Sequence, residues 1–172
     1  GLPHSTKPTT MPTASSKNRT ALSGLQKALD RIPCFDGLSP DILAEIARRA
    51  ARSRIDAGQV IFLEGEPASK LYILENGWVK ATRMSPEGRE QGVQFVKPCD
   101  IFGDIAIWTG SPYPCTVMAL EPADVWAIEA SDIFDLIGRH PELSRAVIRR
   151  LGERVKHCIG MVEDLALRNV EA

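Results

Sequence analysis

The chain has 172 residues, 44% apolar and 25% charged, which fits one ordinary soluble domain with an appendage and leaves little room for a multidomain enzyme. A formal net charge of −1 supplies no cationic field for nucleic acid, so any DNA contact is expected to belong to residues outside this sequence. Cys34, Cys99, Cys115 and Cys158 are scattered without a C-x-x-C pair, and no apolar run suits a bilayer or a signal peptide, so the expectation is a cytoplasmic protein with reduced thiols, no zinc site and no membrane contact.

Residues 1–20 carry Thr9-Thr10, Ser15-Ser16 and three prolines with few apolar side chains; they are expected to be a disordered tail, with 1–10 an expression-tag remnant and Met11 a native start. The folded sensor unit is expected over 21–138 and a long helix over 139–172. Leu22, Leu25, Leu29 and Ile32 recur at helical spacing. Ser39-Pro40-Asp41 then supplies an N-cap and a first-position proline for a second helix carrying Ile42, Leu43, Ile46 and Ala47.

From Ile55 to Ile128 the pattern changes to short apolar segments: Val60 to Leu63, Leu71 to Leu74, Trp78-Val79, Val93 to Val96, Val117 to Leu120 and Val125 to Ile128. Turn signals separate them, among them Gly65-Glu66-Pro67, Asn76-Gly77 and Pro86-Glu87-Gly88, and the spacing predicts an antiparallel sandwich or barrel. Asn76-Gly77 predicts a tight hairpin, because both residues tolerate positive φ.

Ala130-Ser131-Asp132 opens a short helix and a long one follows from about Pro141. Along it Ile148, Leu151, Val155, Cys158, Val162, Leu165 and Asn169 alternate spacings of three and four, an a/d seam that predicts a parallel homodimer with Asn169 fixing register. The interspersed Arg145, Arg149, Arg150, Arg154 and Lys156 read as the solvated flank of that coiled coil. With no stop signal before Ala172, the helix reads as cut rather than finished.

Ile61 to Pro67 (IFLEGEP), Leu71 to Gly77 (LYILENG), Val79-Lys80 and Asp100 to Asp104 (DIFGD) resemble the Crp/Fnr superfamily of bacterial transcription regulators, over roughly residues 21–172. The resemblance implies an α+β fold: a cyclic-nucleotide-binding-type β-roll, an eight-stranded antiparallel double-stranded jelly roll, with short N-terminal helices and a long C-terminal dimerisation helix. It also implies that DNA is reached only through a winged helix-turn-helix domain following that helix, which is absent from this sequence.

What the resemblance implies for the effector pocket is specific. The family's Gly-Glu-Leu-Ala segment, which holds phosphate and ribose at a helix start, reads Gly103-Asp104-Ile105-Ala106 here. Its phosphate-binding Arg-Ser/Thr pair aligns with Tyr113-Pro114, ahead of Cys115. A neutral tyrosine and a proline without a donor would leave a cyclic phosphodiester unpaired. Cys158 and Ile159 stand where polar residues reach adenine, and Cys99 replaces a glycine. The expectation is a sensor unresponsive to cyclic AMP. Its pocket, built from Gly103, Asp104, Ile105, Ala106, Tyr113, Pro114, Cys115 and Ile159, would favour an apolar or planar ligand.

The alternatives remain within the same family or close to it. An iron–sulfur centre needs several thiolates, and only Cys34 precedes the β-roll, so the sequence argues against one. A haem sensor is left open with His157 as the candidate ligand, against its reading as a solvated position between basic neighbours. A thiol-based redox sensor is set against cysteines as small buried hydrophobes. A stand-alone cyclic-nucleotide-like binding module is the remaining option. Without Gly-x-Ser-x-Gly, a P-loop or His-Glu-x-x-His, and without a histidine between Ile55 and Ile128 for a cupin-type metal, an enzyme is not expected.

Overall fold

The computed structural model describes residues 24–33 and 35–171; the expected tail 1–20, with His4 and Met11, and Leu22 and Cys34 lie outside them. Residues 24–30 are helical (α1) and bury Leu25 and Leu29. Ser39 Oγ accepts the Ile42 amide at 3.4 Å and Pro40 occupies the first position of α2 (Pro40–Arg49), as the local sequence predicts. Ile42, Leu43, Ile46 and Ala47 form its buried face.

Eight strands follow among the described residues: β1 (Ala51–Ile55), β2 (Val60–Phe62), β3 (Lys70–Asn76), β4 (Val79–Met84), β5 (Glu90–Val96), β6 (Asp100–Phe102), β7 (Thr116–Ala119) and β8 (Ala123–Glu129). They pair antiparallel into two four-stranded sheets, β1-β8-β3-β6 and β2-β7-β4-β5. One core joins α1, α2 and the first sheet through Leu25, Ile46, Ile73, Trp126 and Ile128; a second fills the roll with Phe62, Leu74, Val79, Phe102 and Tyr113. A short helix α3 (Asp104–Thr109) interrupts the roll, and α4 (Ala130–Arg139) and α5 (Pro141–Glu171) complete the chain. The result is the antiparallel β-roll with helices that the resemblance implied. Among the described residues no helix is long and apolar enough to cross a membrane.

Two local expectations are corrected. β1 carries no strand signal of its own, because Ala-Arg-Ser-Arg-Ile has no apolar alternation. It exists by pairing with β8, and Arg52 and Arg54 reach Glu75 and Asp124 at 3.0 and 2.9 Å. Asn76-Gly77 is not a hairpin: β3 and β4 belong to different sheets, and the turn carries the chain across the roll. Gly77 (φ 93°) is needed there because a Cβ would sit 2.8 Å from Ala123 Cα and the Pro122 carbonyl. The true hairpin joins β4 to β5 through Pro86-Glu87-Gly88. It is closed by the Ser85 amide donating to the Arg89 carbonyl at 2.7 Å.

Candidate effector site and helix seam

Gly103 ends β6 in the left-handed region (φ 76°), with Phe62 and Tyr113 packed where a side chain would project, and this turn aims Asp104 inward. Asp104 is 1% exposed. A carboxylate so buried requires partners, and it has three: Trp108 Nε1 donates to Oδ2 at 3.1 Å, Arg150 Nε to Oδ2 at 3.4 Å, and Arg154 Nη1 to Oδ1 at 3.5 Å. Arg150 also donates through Nη1 to Asp100 Oδ1 at 2.9 Å and through Nη2 to the Ile101 carbonyl at 2.8 Å. Each of its three nitrogens is thus spent on the β6–α3 segment, which corrects its reading as a solvated flank residue. The signal available in the sequence was indirect: Arg150 and Arg154, one turn apart, share a helix face that can meet a single carboxylate.

Tyr113 lies inside the roll. Its ring stacks on Phe62 with centroids 3.9 Å apart, and its hydroxyl donates to the Lys70 carbonyl at 2.6 Å. Tyr72 stacks on Phe102 beside it. Burial pushes the Tyr72 hydroxyl up to about 12 and raises that of Tyr113 as well. Ala106 is buried with them, Pro114 is exposed with its carbonyl accepting from Arg83 Nε at 3.0 Å, and Cys115 is half-buried, its thiol pushed up by desolvation.

Of the expected pocket residues, Ile105 and Ile159 meet at one surface cavity. They line an open groove of about 690 Å³ together with Leu151, Arg154, Val155, Cys158, Val162 and Glu163. Its wall is apolar except for Arg154 and Glu163. Tyr113, Pro114 and Cys115 do not reach it. His157 is exposed and is not among the groove's lining residues, and no cluster of three or more metal-ligating side chains occurs among the described residues. Of the seam, Leu151 is half-buried, whereas Ile148, Val155, Cys158, Val162, Leu165 and Asn169 are exposed on the single chain.

The sequence profile of the family described as "Cyclic nucleotide-binding domain" matches residues 52–140, which run from β1 to the α4–α5 junction. The chain belongs to this family. Among the curated relatives of this cyclic-nucleotide-binding-domain chain is the CRP-like cAMP-activated global transcriptional regulator of Mycobacterium tuberculosis, 27% identical over 85% of this chain and 65% of the relative. The anaerobic regulatory protein of Pasteurella multocida is 32% identical over 68% of this chain and 42% of that protein. These relatives are Crp/Fnr-type regulators, as the motifs implied, and the chain spans less than two thirds of their length. Among solved structures, the sensor domain of the transcriptional regulator DNR from Pseudomonas aeruginosa is similar at TM-score 0.70 and 25% identity, over 84% of this chain and 95% of that one. All of α5, and with it every residue of the groove except Ile105, lies beyond the segment that the family profile matches.

Proposed function

We propose that this chain is the effector-sensing and dimerisation unit of a cytoplasmic Crp/Fnr-type transcription regulator, without catalytic activity, and that it does not respond to cyclic AMP. Two α5 helices pair in parallel along Ile148, Leu151, Val155, Cys158, Val162, Leu165 and Asn169. Their mutual angle sets the spacing of DNA-reading domains that follow α5.

The observation that carries this reading is the position of the apolar seam. It stands exposed on a helix that continues well past the roll, beside the groove at Ile105, so the face that a second α5 would cover adjoins the sensor. The Mycobacterium tuberculosis relative is named as activated by cyclic AMP. In this chain Tyr113-Pro114 stands where the resemblance implies the phosphate clamp, and Asp104 is already bonded to Arg150, Arg154 and Trp108.

Titration calorimetry with cyclic AMP and cyclic GMP, joined to sedimentation and an absorption spectrum of the purified protein, tests the reading. A dimer that releases no binding heat supports it; micromolar affinity for either nucleotide overturns the effector claim. A Soret band would move the effector reading to haem.

A further inference from the structure

We propose that Arg150 and Asp104 form an internal latch that holds α5 on the β-roll with no small molecule between them. The docked position of α5 is then held by protein groups alone, and an effector of this domain acts by opening the latch rather than by building it. The inference rests on the reading of α5 as the output helix.

α5 meets the rest of the chain in two ways. Leu143, Ala146 and Val147 bury its first turns, and Arg150 and Arg154 then close a polar contact with β6 and α3. Past that contact the helix is largely exposed from Val155 to Asn169 and extends for about 22 Å at the α-helical rise. The Arg150 cluster is therefore the last attachment before a long stiff lever, and a small change there moves the distal seam most.

The cluster balances its own charges. Asp100 and Asp104 bring two negative charges, Arg150 and Arg154 two positive ones, and Trp108 adds a neutral donor. Arg150 is 12% exposed and Asp104 1%. Removing either partner of such a buried pair strands the other charge, which makes the contact cooperative. The bonds are unequal: those from Arg150 to Asp100 and Ile101 are 2.9 and 2.8 Å, whereas those to Asp104 from Arg150 and Arg154 are 3.4 and 3.5 Å. The Asp104 contacts are accordingly the first to open.

Hydrogen exchange read by mass spectrometry on the full chain tests the latch, comparing wild type with Asp104→Asn, Arg150→Gln and the double variant. In wild type, amides 143–154 are expected to exchange slowly without additive and to be unmoved by millimolar cyclic AMP. Each single variant should speed them roughly tenfold or more, the scale of one lost charge-assisted hydrogen bond. The double variant should add nothing further. Amides of β3 and β8 serve as the folding control. If a variant loses that control, Arg150→Lys, which keeps the charge but not the three-pronged geometry, should still speed 143–154 at intact β3 and β8 protection. Unchanged exchange in the variants, additive effects, or wild-type protection that appears only with a ligand would overturn the latch. Sedimentation separates this from the dimer reading. A monomer with protected 143–154 sinks the dimer and leaves the latch, and a dimer whose 143–154 exchange fast does the reverse.

Discussion

Tyr113 is tied to Lys70 in both directions: its hydroxyl donates to the Lys70 carbonyl at 2.6 Å and accepts the Lys70 amide at 3.3 Å. The bond pins the loop before β7 to the start of β3, with the tyrosine ring stacked on Phe62 between them. Tyr113→Phe keeps the ring and removes only these bonds, so it should cost about 1–2 kcal/mol in urea unfolding. Tyr113→Ala also empties the stack and should cost about 3–5 kcal/mol. Equal losses in the two variants would show that the hydroxyl carries all of the effect and the ring none.

The chain has two tyrosines, Tyr72 and Tyr113, and burial raises both. A raised folded-state value means that the neutral form is favoured on folding. The associated stability is present below the ordinary tyrosine value of 10.0 and is lost as pH climbs toward about 12. Tyrosinate absorbance should therefore stay low at pH 10 in the folded protein and rise only above it, together with unfolding. In urea both groups should titrate near 10. Native protein with half its tyrosinate signal at pH 10 would contradict the burial.

Parallel pairing of α5 would place Cys158 of one protomer opposite Cys158 of its partner, near disulfide reach. Cys158 is exposed on the single chain, so mild oxidation should give a covalent dimer on a non-reducing gel, and Cys158→Ser should remove that band. Val155→Glu with Val162→Glu should shift sedimentation to monomer, because like charges would be buried at facing positions. A wild-type monomer at tens of micromolar, or cross-linking undiminished without Cys158, would refute the seam.

Gly77→Ala should cost about 2–4 kcal/mol, combining left-handed backbone strain with overlap on the Pro122–Ala123 backbone. Gly88→Ala is the control. It has the same sign of φ, at 80°, but nothing within 4 Å of the added carbon, so only the strain of about 1 kcal/mol should remain. Equal midpoint shifts in thermal unfolding would mean that the close approach at Gly77 contributes nothing.

Features that depend on neighbours in the chain were legible in advance. Ser39-Pro40 starts α2 because a hydroxyl acceptor and a preset φ act within one turn. Pro86-Glu87-Gly88 turns the chain because its conformational preferences are its own. The three-four spacing along α5 marks an apolar stripe whatever covers it. The strand and turn spacing by itself reached only an antiparallel sandwich or barrel, and the β-roll was what the resemblance of the motifs from Ile61 to Asp104 implied.

Tertiary structure decided what depends on residues distant in sequence. β1 has no apolar alternation and becomes a strand only because β8 offers hydrogen bonds and Glu75 and Asp124 offer charges. Asn76-Gly77 has hairpin chemistry, yet the strands it joins pair elsewhere, β3 with β6 and β8 and β4 with β5 and β7. Tyr113 could be assigned to a ligand pocket from its position in the chain, but only the packed roll shows its ring against Phe62 and its hydroxyl on Lys70. Arg150 gives the clearest case. Along the helix it is one charged residue among five basic ones, and its partners lie 46 and 50 residues away. A buried carboxylate selects its cation by distance in space, and that distance is set only when α5 lies down on β6 and α3.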